Sequence, residues 1–255
     1  MAKFCHFDLT ASDIARARKF YETAFGWVFQ SVPAPMEYWL IHTGDAKYGI
    51  DGGLSVRQPG DTSNMTFTAR VPDVDAYMER AISAGATIHH QKHRIPGVGD
   101  FAGVVDPEGL PFGMMQFLPG SENHVVPGAA PDGNRPVHFE FMTDDPAAAT
   151  RFYSAVLDWS FKKHGGEHEY YLIEGGSGDP PDINGGMMPR VPDVPKMYTA
   201  ILETPNLDAT TAKIVAAGGH AVTDRMEIPN VGSCAYFHDT EKNALGVMQF
   251  LPRTG

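Results

Sequence analysis

The stretch Gly113-Met114-Met115-Gln116-Phe117-Leu118-Pro119 returns near the end of the chain as Gly246-Val247-Met248-Gln249-Phe250-Leu251-Pro252, and that return decides the fold. Working outward, Ile95-Pro96-Gly97-Val98-Gly99 is matched by Ile228-Pro229-Asn230-Val231-Gly232, and Ala84-Gly85 by Ala217-Gly218. Asp51-Gly52-Gly53-Leu54 comes back as Asn184-Gly185-Gly186-Met187 at the same offset. Closer to the start, His6-Phe7-Asp8-Leu9 is matched by His138-Phe139-Glu140-Phe141, Phe20-Tyr21 by Phe152-Tyr153 and Trp27 by Trp159, with the offset shortened by one residue. A single insertion therefore aligns the two halves. The expected organisation is a first domain over 1–120, a linker over 121–135 and a second domain over 136–255.

Each half carries the same rhythm twice. Residues 3–10 alternate, with Cys5, Phe7 and Leu9 apolar and His6, Asp8 and Thr10 polar, so a strand with two unlike faces is expected. Ser12 or Asp13 then caps a helix that buries Ile14, Ala17, Tyr21, Ala24 and Phe25 and ends at Gly26. Strands follow over 27–31, 37–43 and 49–56, and the pattern restarts at 65–71 with a helix capped by Asp73. The second half repeats this, with Pro146 in a first helical turn and Asn206 as a later cap. The fold class is α+β: four βαβββ units forming two tandem cupped-sheet domains.

Composition narrows the function. Of 255 residues, 42% are hydrophobic and 20% charged, enough to bury a sizeable core. The formal net charge is −11, which disfavours nucleic acid and anionic membrane surfaces as partners. The two cysteines, Cys5 and Cys234, make neither a disulfide framework nor a cysteine-rich zinc site. With no apolar run of membrane-spanning length and no signal region at the start, a cytoplasmic protein is expected. Its partners are expected to be a small-molecule ligand and, at most, a second copy of itself: a monomer or a homodimer.

The helix motif Asp13…Phe20-Tyr21…Phe25-Gly26-Trp27, its second copy Asp145…Phe152-Tyr153…Trp159, and Asp106-Pro107-Glu108-Gly109 before the last strand of the first half resemble the vicinal oxygen chelate superfamily. That superfamily includes glyoxalase I, bleomycin-resistance proteins and extradiol dioxygenases. The tandem arrangement looks most like its double-domain, glyoxalase-like or hydroxylase-like branch. The resemblance implies cupped sheets around small-molecule cavities and, for an enzyme, a lyase or an oxidoreductase. It also implies where metal ligands would stand: His6 and His138 match, but the other positions hold Thr66 and Gly113 in the first half and Thr199 and Gly246 in the second. Three or more protein ligands are the norm for such a metal, so no cofactor is expected, with a divalent metal as the minor alternative.

A different constellation remains. His6 and Asp8 share one strand face, as do His138 and Glu140, and both pairs should point into the cups. They are the candidate catalytic groups, because a carboxylate beside an imidazole orients and strengthens it as a base. The same residues are also consistent with a buried structural hydrogen bond, or with a metal held in a rebuilt site around His6 and His138. Tyr38, His42, Met115, Tyr170 and Met248 are the candidate ligand-binding residues, although aromatic and methionine side chains also serve as plain core. His89, His90 and His93 read as an exposed strand edge or an adventitious metal cluster. Three functions stay open: a protein that binds, or binds and transforms, a small aromatic or hydroxylated metabolite without metal; a non-catalytic sequestering protein of the drug-resistance type; and a metalloenzyme with a rebuilt site.

Overall fold

The computed structural model describes residues 2–33, 37–44, 49–59, 64–121, 134–165, 169–174 and 183–252. Most of the expected linker, 122–133, lies outside them. The first half contains β1 (Lys3–Ala11), α1 (Ile14–Phe25), β2 (Val28–Ser31), β3 (Tyr38–His42), β4 (Gly52–Val56), β5 (Met65–Arg70), α2 (Val74–Ser83), β6 (Thr87–Ile95), β7 (Gly99–Val105) and β8 (Pro111–Phe117). The second contains β9 (Pro136–Thr143), α3 (Pro146–Leu157), β10 (Ser160–His164), β11 (Tyr170–Glu174), β12 (Asn184–Pro189), β13 (Tyr198–Glu203), α4 (Leu207–Ala216), β14 (His220–Ala221), β15 (Met226–Ile228), β16 (Gly232–His238) and β17 (Ala244–Phe250).

Each half forms one mixed sheet. Its order is β2-β3-β4-β1-β5-β8-β7-β6 in the first half and β10-β11-β12-β9-β13-β17-β16-β14 in the second, with β15 also pairing β16. Within each unit the first strand lies parallel to the last, β1 to β4 and β5 to β8, and the units meet where β1 pairs antiparallel with β5. The sequence dictates the helices as expected. The Asp13 side chain accepts from the Arg16 N–H at the start of α1, and Gly26 ends it in the left-handed region at φ 72°, a conformation costly for other residues. Asn206 caps α4 in the same way.

One expectation is corrected in detail. Strict alternation places Cys5 and Val137 on the apolar faces, but a register shift in each first strand skips them and pairs Phe4 in β1 and Pro136 in β9 instead. Cys5 sits at the irregularity, its thiol 3.5 Å from the Thr68 carbonyl oxygen, and Val137 is only half-buried. Phe4 is the hub of the contact between halves. Its ring lies 4.6 Å from Phe139, 5.1 Å from Trp159 and 5.3 Å from Phe67, in tilted, edge-on and stacked arrangements. The two sheets thus bury their apolar faces in one shared core, so their polar faces open in opposite directions.

The repeated motifs clasp the halves together. Tyr21 donates to the buried Asp239 at 2.6 Å, and Tyr153 donates to the buried Asp106 at 2.9 Å, each crossing to the other half. Glu108 accepts from Thr143, Asp144 and Asp145 at the start of α3, and Glu241 from Ser12 and Arg16 at the start of α1. The indoles follow the same logic: Trp27 donates to the Asn134 carbonyl oxygen and Trp159 to that of Ala2. The Phe-Tyr, Trp and Asp-Pro-Glu signatures therefore hold the two sheets together and leave the cups to other residues.

Candidate functional site

On the polar face of the first sheet, His6 and Asp8 stand two residues apart on β1, and Tyr38 reaches them from β3. The Tyr38 hydroxyl donates to Asp8 Oδ1 at 2.7 Å and lies 3.1 Å from His6 Nε2. Since the single tyrosine proton points at Asp8, the His6 Nε2–H donates to the tyrosine oxygen. The second sheet repeats the arrangement. Tyr170 donates to Glu140 Oε1 at 2.9 Å and lies 2.9 Å from His138 Nε2. Each cup therefore holds a His–Tyr–carboxylate relay.

The repeated Gly-Gly pairs explain why the relay forms. A Cβ on Gly52 or Gly185 would run into the Phe7 or Phe139 ring on the core face. A Cβ on Gly53 or Gly186 would fall on the Tyr38 or Tyr170 hydroxyl on the cup face. Consecutive glycines clear both faces of one strand, the first for the core phenylalanine and the second for the relay tyrosine.

The two cups then diverge. In the second, Tyr236 donates to Glu140 Oε2 at 2.7 Å, while Ile201, Cys234 and Met248 form an apolar floor with Ile228 and Val231 packed against it. In the first, Gly103 replaces Tyr236, and the His90 ring leans over it, 3.0 Å from where a Cβ would stand. Ile201 and Cys234 give way to Thr68 and Phe101. The turns at Gly97 and Asn230, both at positive φ, close β6 onto β7 and β15 onto β16 beside these floors.

The electrostatics diverge with the residues. In the first cup His6 Nε2 is 3.6 Å from Asp8, and both side chains are about a quarter exposed. Burial alone would lower His6, but Asp8 and the more distant Asp51 outweigh it and hold the imidazole above its ordinary value. Burial would raise Asp8; His6, the Tyr38 hydroxyl and His90 instead hold it low. In the second cup burial, with no counter-charge, lowers His138 to about 4. Glu140 is raised, because burial outweighs the hydrogen bonds from Tyr236 and Tyr170.

Not every candidate enters a cup floor. His42 is 3% exposed, with Nδ1 3.3 Å from Asp51 and a buried Nε2 that has no partner among the described residues. It belongs to a charged cluster with Asp51 and Arg135 at the end of β3, and Arg135 also donates to the Gly44 carbonyl oxygen. Met115 and Met248 are buried at 8% and 9%, Met115 across from Phe101 and Met248 in the floor beneath Tyr236. His89, His90 and His93 lie on the exposed edge strand β6, where His90 leans over Gly103 and both His90 and His93 pack against the Phe101 ring, at 6.2 and 5.5 Å. Sequence reasoning missed Tyr236, since its counterpart Gly103 broke the repeat, and missed His90 as a cup residue.

The residues present do not fit a divalent metal of the inherited kind. At the third ligand position, a Cβ on Gly113 would stand 2.5 Å from Thr68 Oγ1 and 2.7 Å from the Phe101 ring. At the matching place a Cβ on Gly246 would meet Ile201 and Tyr236. The space a glutamate would need is filled in both halves. A rebuilt site around His6 and His138 is not assembled among the described residues: the halves meet through Phe4 and Phe139, and each histidine bonds the tyrosine of its own cup. Among the described residues no three His, Cys, Asp or Glu side chains converge to hold an ion.

Comparison with known proteins places this geometry. A sequence model of the family described as "Bleomycin resistance protein-like N-terminal" matches residues 3–44. The protein named "Putative glyoxylase CFP32" from Mycobacterium tuberculosis is 26% identical over 253 residues, covering 96% of this chain and 94% of that protein. The "Anthracycline biosynthesis protein DauV" of Streptomyces sp. strain C5 is 28% identical over 167 residues, covering 59% of this chain and 58% of that one. Among solved structures, the Mn(II)-bound glyoxalase from Novosphingobium aromaticivorans superposes with a TM-score of 0.69 at 12% identity, over 98% of this chain and 83% of that one. Among the described residues no helix is long and apolar enough to cross a membrane.

Proposed function

We propose that this chain, which has the tandem fold of the vicinal oxygen chelate superfamily, binds a small hydroxylated aromatic molecule in its cups and reads the ligand with the His–Tyr–carboxylate relays in place of a metal. The observation that carries this reading is the doubled relay, for which Gly53 and Gly186 clear the space. A floor of Ile201, Cys234 and Met248 beside the Tyr236 and Tyr170 hydroxyls suits a flat apolar ring with polar substituents. Likeness to a protein named for anthracycline biosynthesis supports a ligand of that polycyclic, oxygen-bearing kind. Turnover, where it occurs, is proton transfer. A ligand hydroxyl or carbonyl set against Tyr236 or Glu140 would exchange a proton with them, and Tyr170 and His138 would adjust the hydrogen-bond chain behind.

A second reading is sequestration without chemistry. The match to the bleomycin-resistance-like model favours it, as do relay hydrogen bonds already satisfied among themselves. Both readings are tested by titrating EDTA-dialysed protein with 2,6-dihydroxyanthraquinone, whose hydroxyls are too far from its carbonyls to chelate. Saturable binding that added Mn(II) or Fe(II) leaves unchanged is expected, weakened about tenfold at the second cup by Tyr236→Phe, which removes the hydroxyl that a ligand hydroxyl would bond. Absence of binding, or binding only when metal is restored, overturns the proposal. Chromatography and NMR of the ligand after long incubation in D2O, read for an isomer or for carbon-bound deuterium, separate proton-transfer turnover from sequestration.

A further inference from the structure

The two cups differ in one respect that repeat symmetry does not require. In the first, the carboxylate of Asp8 is balanced from within, by His6 at 3.6 Å and by His90 above Gly103. In the second, Glu140 is 9% exposed, and its contacts are two neutral hydroxyls, Tyr170 on Oε1 and Tyr236 on Oε2. Among the described residues no lysine, arginine or histidine forms an ion pair with it. His138 on the same strand face spends its Nε2–H on Tyr170.

A carboxylate offers about four lone-pair directions, and two of these are taken. Tyr170 and Tyr236 each aim a hydroxyl at one oxygen of this carboxyl, which leaves the remaining lone-pair directions for a further donor. The Met248 and Cys234 floor keeps the dielectric low around it, so a charge brought to Glu140 is felt strongly. The chain as a whole carries a formal charge of −11, which draws cations to it and repels anions.

We propose that the second cup is an ammonium site: its ligand carries a protonated amine that docks on Glu140 between Tyr170 and Tyr236, with the aromatic part of the ligand over Ile201, Cys234 and Met248. The first cup, already neutralised, does not share this preference. The inference rests on the reading of the cups as aromatic-ligand sites and names the chemical class that the second one selects.

The test compares two probes of nearly equal shape, 2-(aminomethyl)anthraquinone and 2-(hydroxymethyl)anthraquinone, by calorimetric titration at neutral pH. The amine is expected to bind about tenfold or more tightly, since it adds a Coulombic attraction to Glu140 that the alcohol lacks. Glu140→Gln is expected to abolish that preference, so that the two probes bind alike, with circular dichroism reporting whether the variant is folded. If both probes bind the unaltered protein equally, the ammonium site is wrong and the aromatic cup stands. If neither binds, both readings fall. The comparison in the unaltered protein decides the matter even if the variant does not fold.

Discussion

Replacing Asp239 by alanine is expected to destabilise the protein by about 3–5 kcal/mol, because several buried donors lose their acceptor at once and each costs about 1–3 kcal/mol when orphaned. Asp239 is 4% exposed and accepts from the Tyr21 hydroxyl at 2.6 Å, the Glu241 N–H at 2.8 Å, and the Asn243 N–H and side-chain amide, both at 2.7 Å. The Tyr21 ring stacks on Trp27 with centroids 4.8 Å apart, and the Trp27 indole donates to the carbonyl oxygen of Asn134. The damage should therefore spread from the second half into the first. Urea unfolding followed by tryptophan fluorescence and by circular dichroism would show one shared transition, moved to lower denaturant. A loss below about 1 kcal/mol, or two separate transitions, would contradict a common core.

The second large effect concerns the cup. Gly186→Ala places a Cβ on the Tyr170 hydroxyl and ring carbon, in a buried strand that cannot retreat. Overpacking of this kind costs about 1–3 kcal/mol, and relief comes only by turning Tyr170 out of the cup. Glu140 then loses one of its two hydrogen bonds and His138 its partner. Binding of 2,6-dihydroxyanthraquinone at the second cup should weaken well beyond tenfold, leaving the first cup's site. Adding Tyr170→Val should return most of the stability but none of that binding. This non-additive outcome separates a packing defect from loss of the relay. If the single variant binds as tightly as the parent protein, Tyr170 is no part of the site.

Much of this was legible in the residues. Periodicity and caps located the strands and helices, because Asp13, Gly26, Asp73 and Asn206 act through their own backbone neighbours. The pairing of His6 with Asp8 and of His138 with Glu140 followed from strand alternation. What alternation could not show was how distant elements meet. Tyr38 and Tyr170 were read as cup lining, yet their place between histidine and carboxylate depends on Gly53 and Gly186, whose purpose emerges only when the strands are paired. Alternation puts Cys5 and Val137 on the wrong face because a bulge leaves no mark in a short apolar run. Tyr236 was invisible for the opposite reason: its importance lies in breaking the repeat that organised everything else. His42 reads as a pocket residue on its strand, but Asp51 and Arg135 from neighbouring segments draw it into a buried charged cluster.

Whether the histidines belong to tyrosine relays is tested most directly by long-range proton–nitrogen NMR of the His6 and His138 rings. The titration would run from about pH 8 to pH 4 and be repeated with equimolar Mn(II). The structure predicts that both neutral rings carry the proton on Nε2, held by Tyr38 and Tyr170. His6 should take up its second proton above the ordinary imidazole value of about 6.5, and His138 only near 4. Because the folded value of His138 is lowered, its contribution to stability is present above the unfolded value and is lost as pH falls toward 4. Mn(II) should leave both signals sharp. Selective broadening of both rings by one equivalent of Mn(II), reversed by EDTA, would contradict the relay and restore the metal.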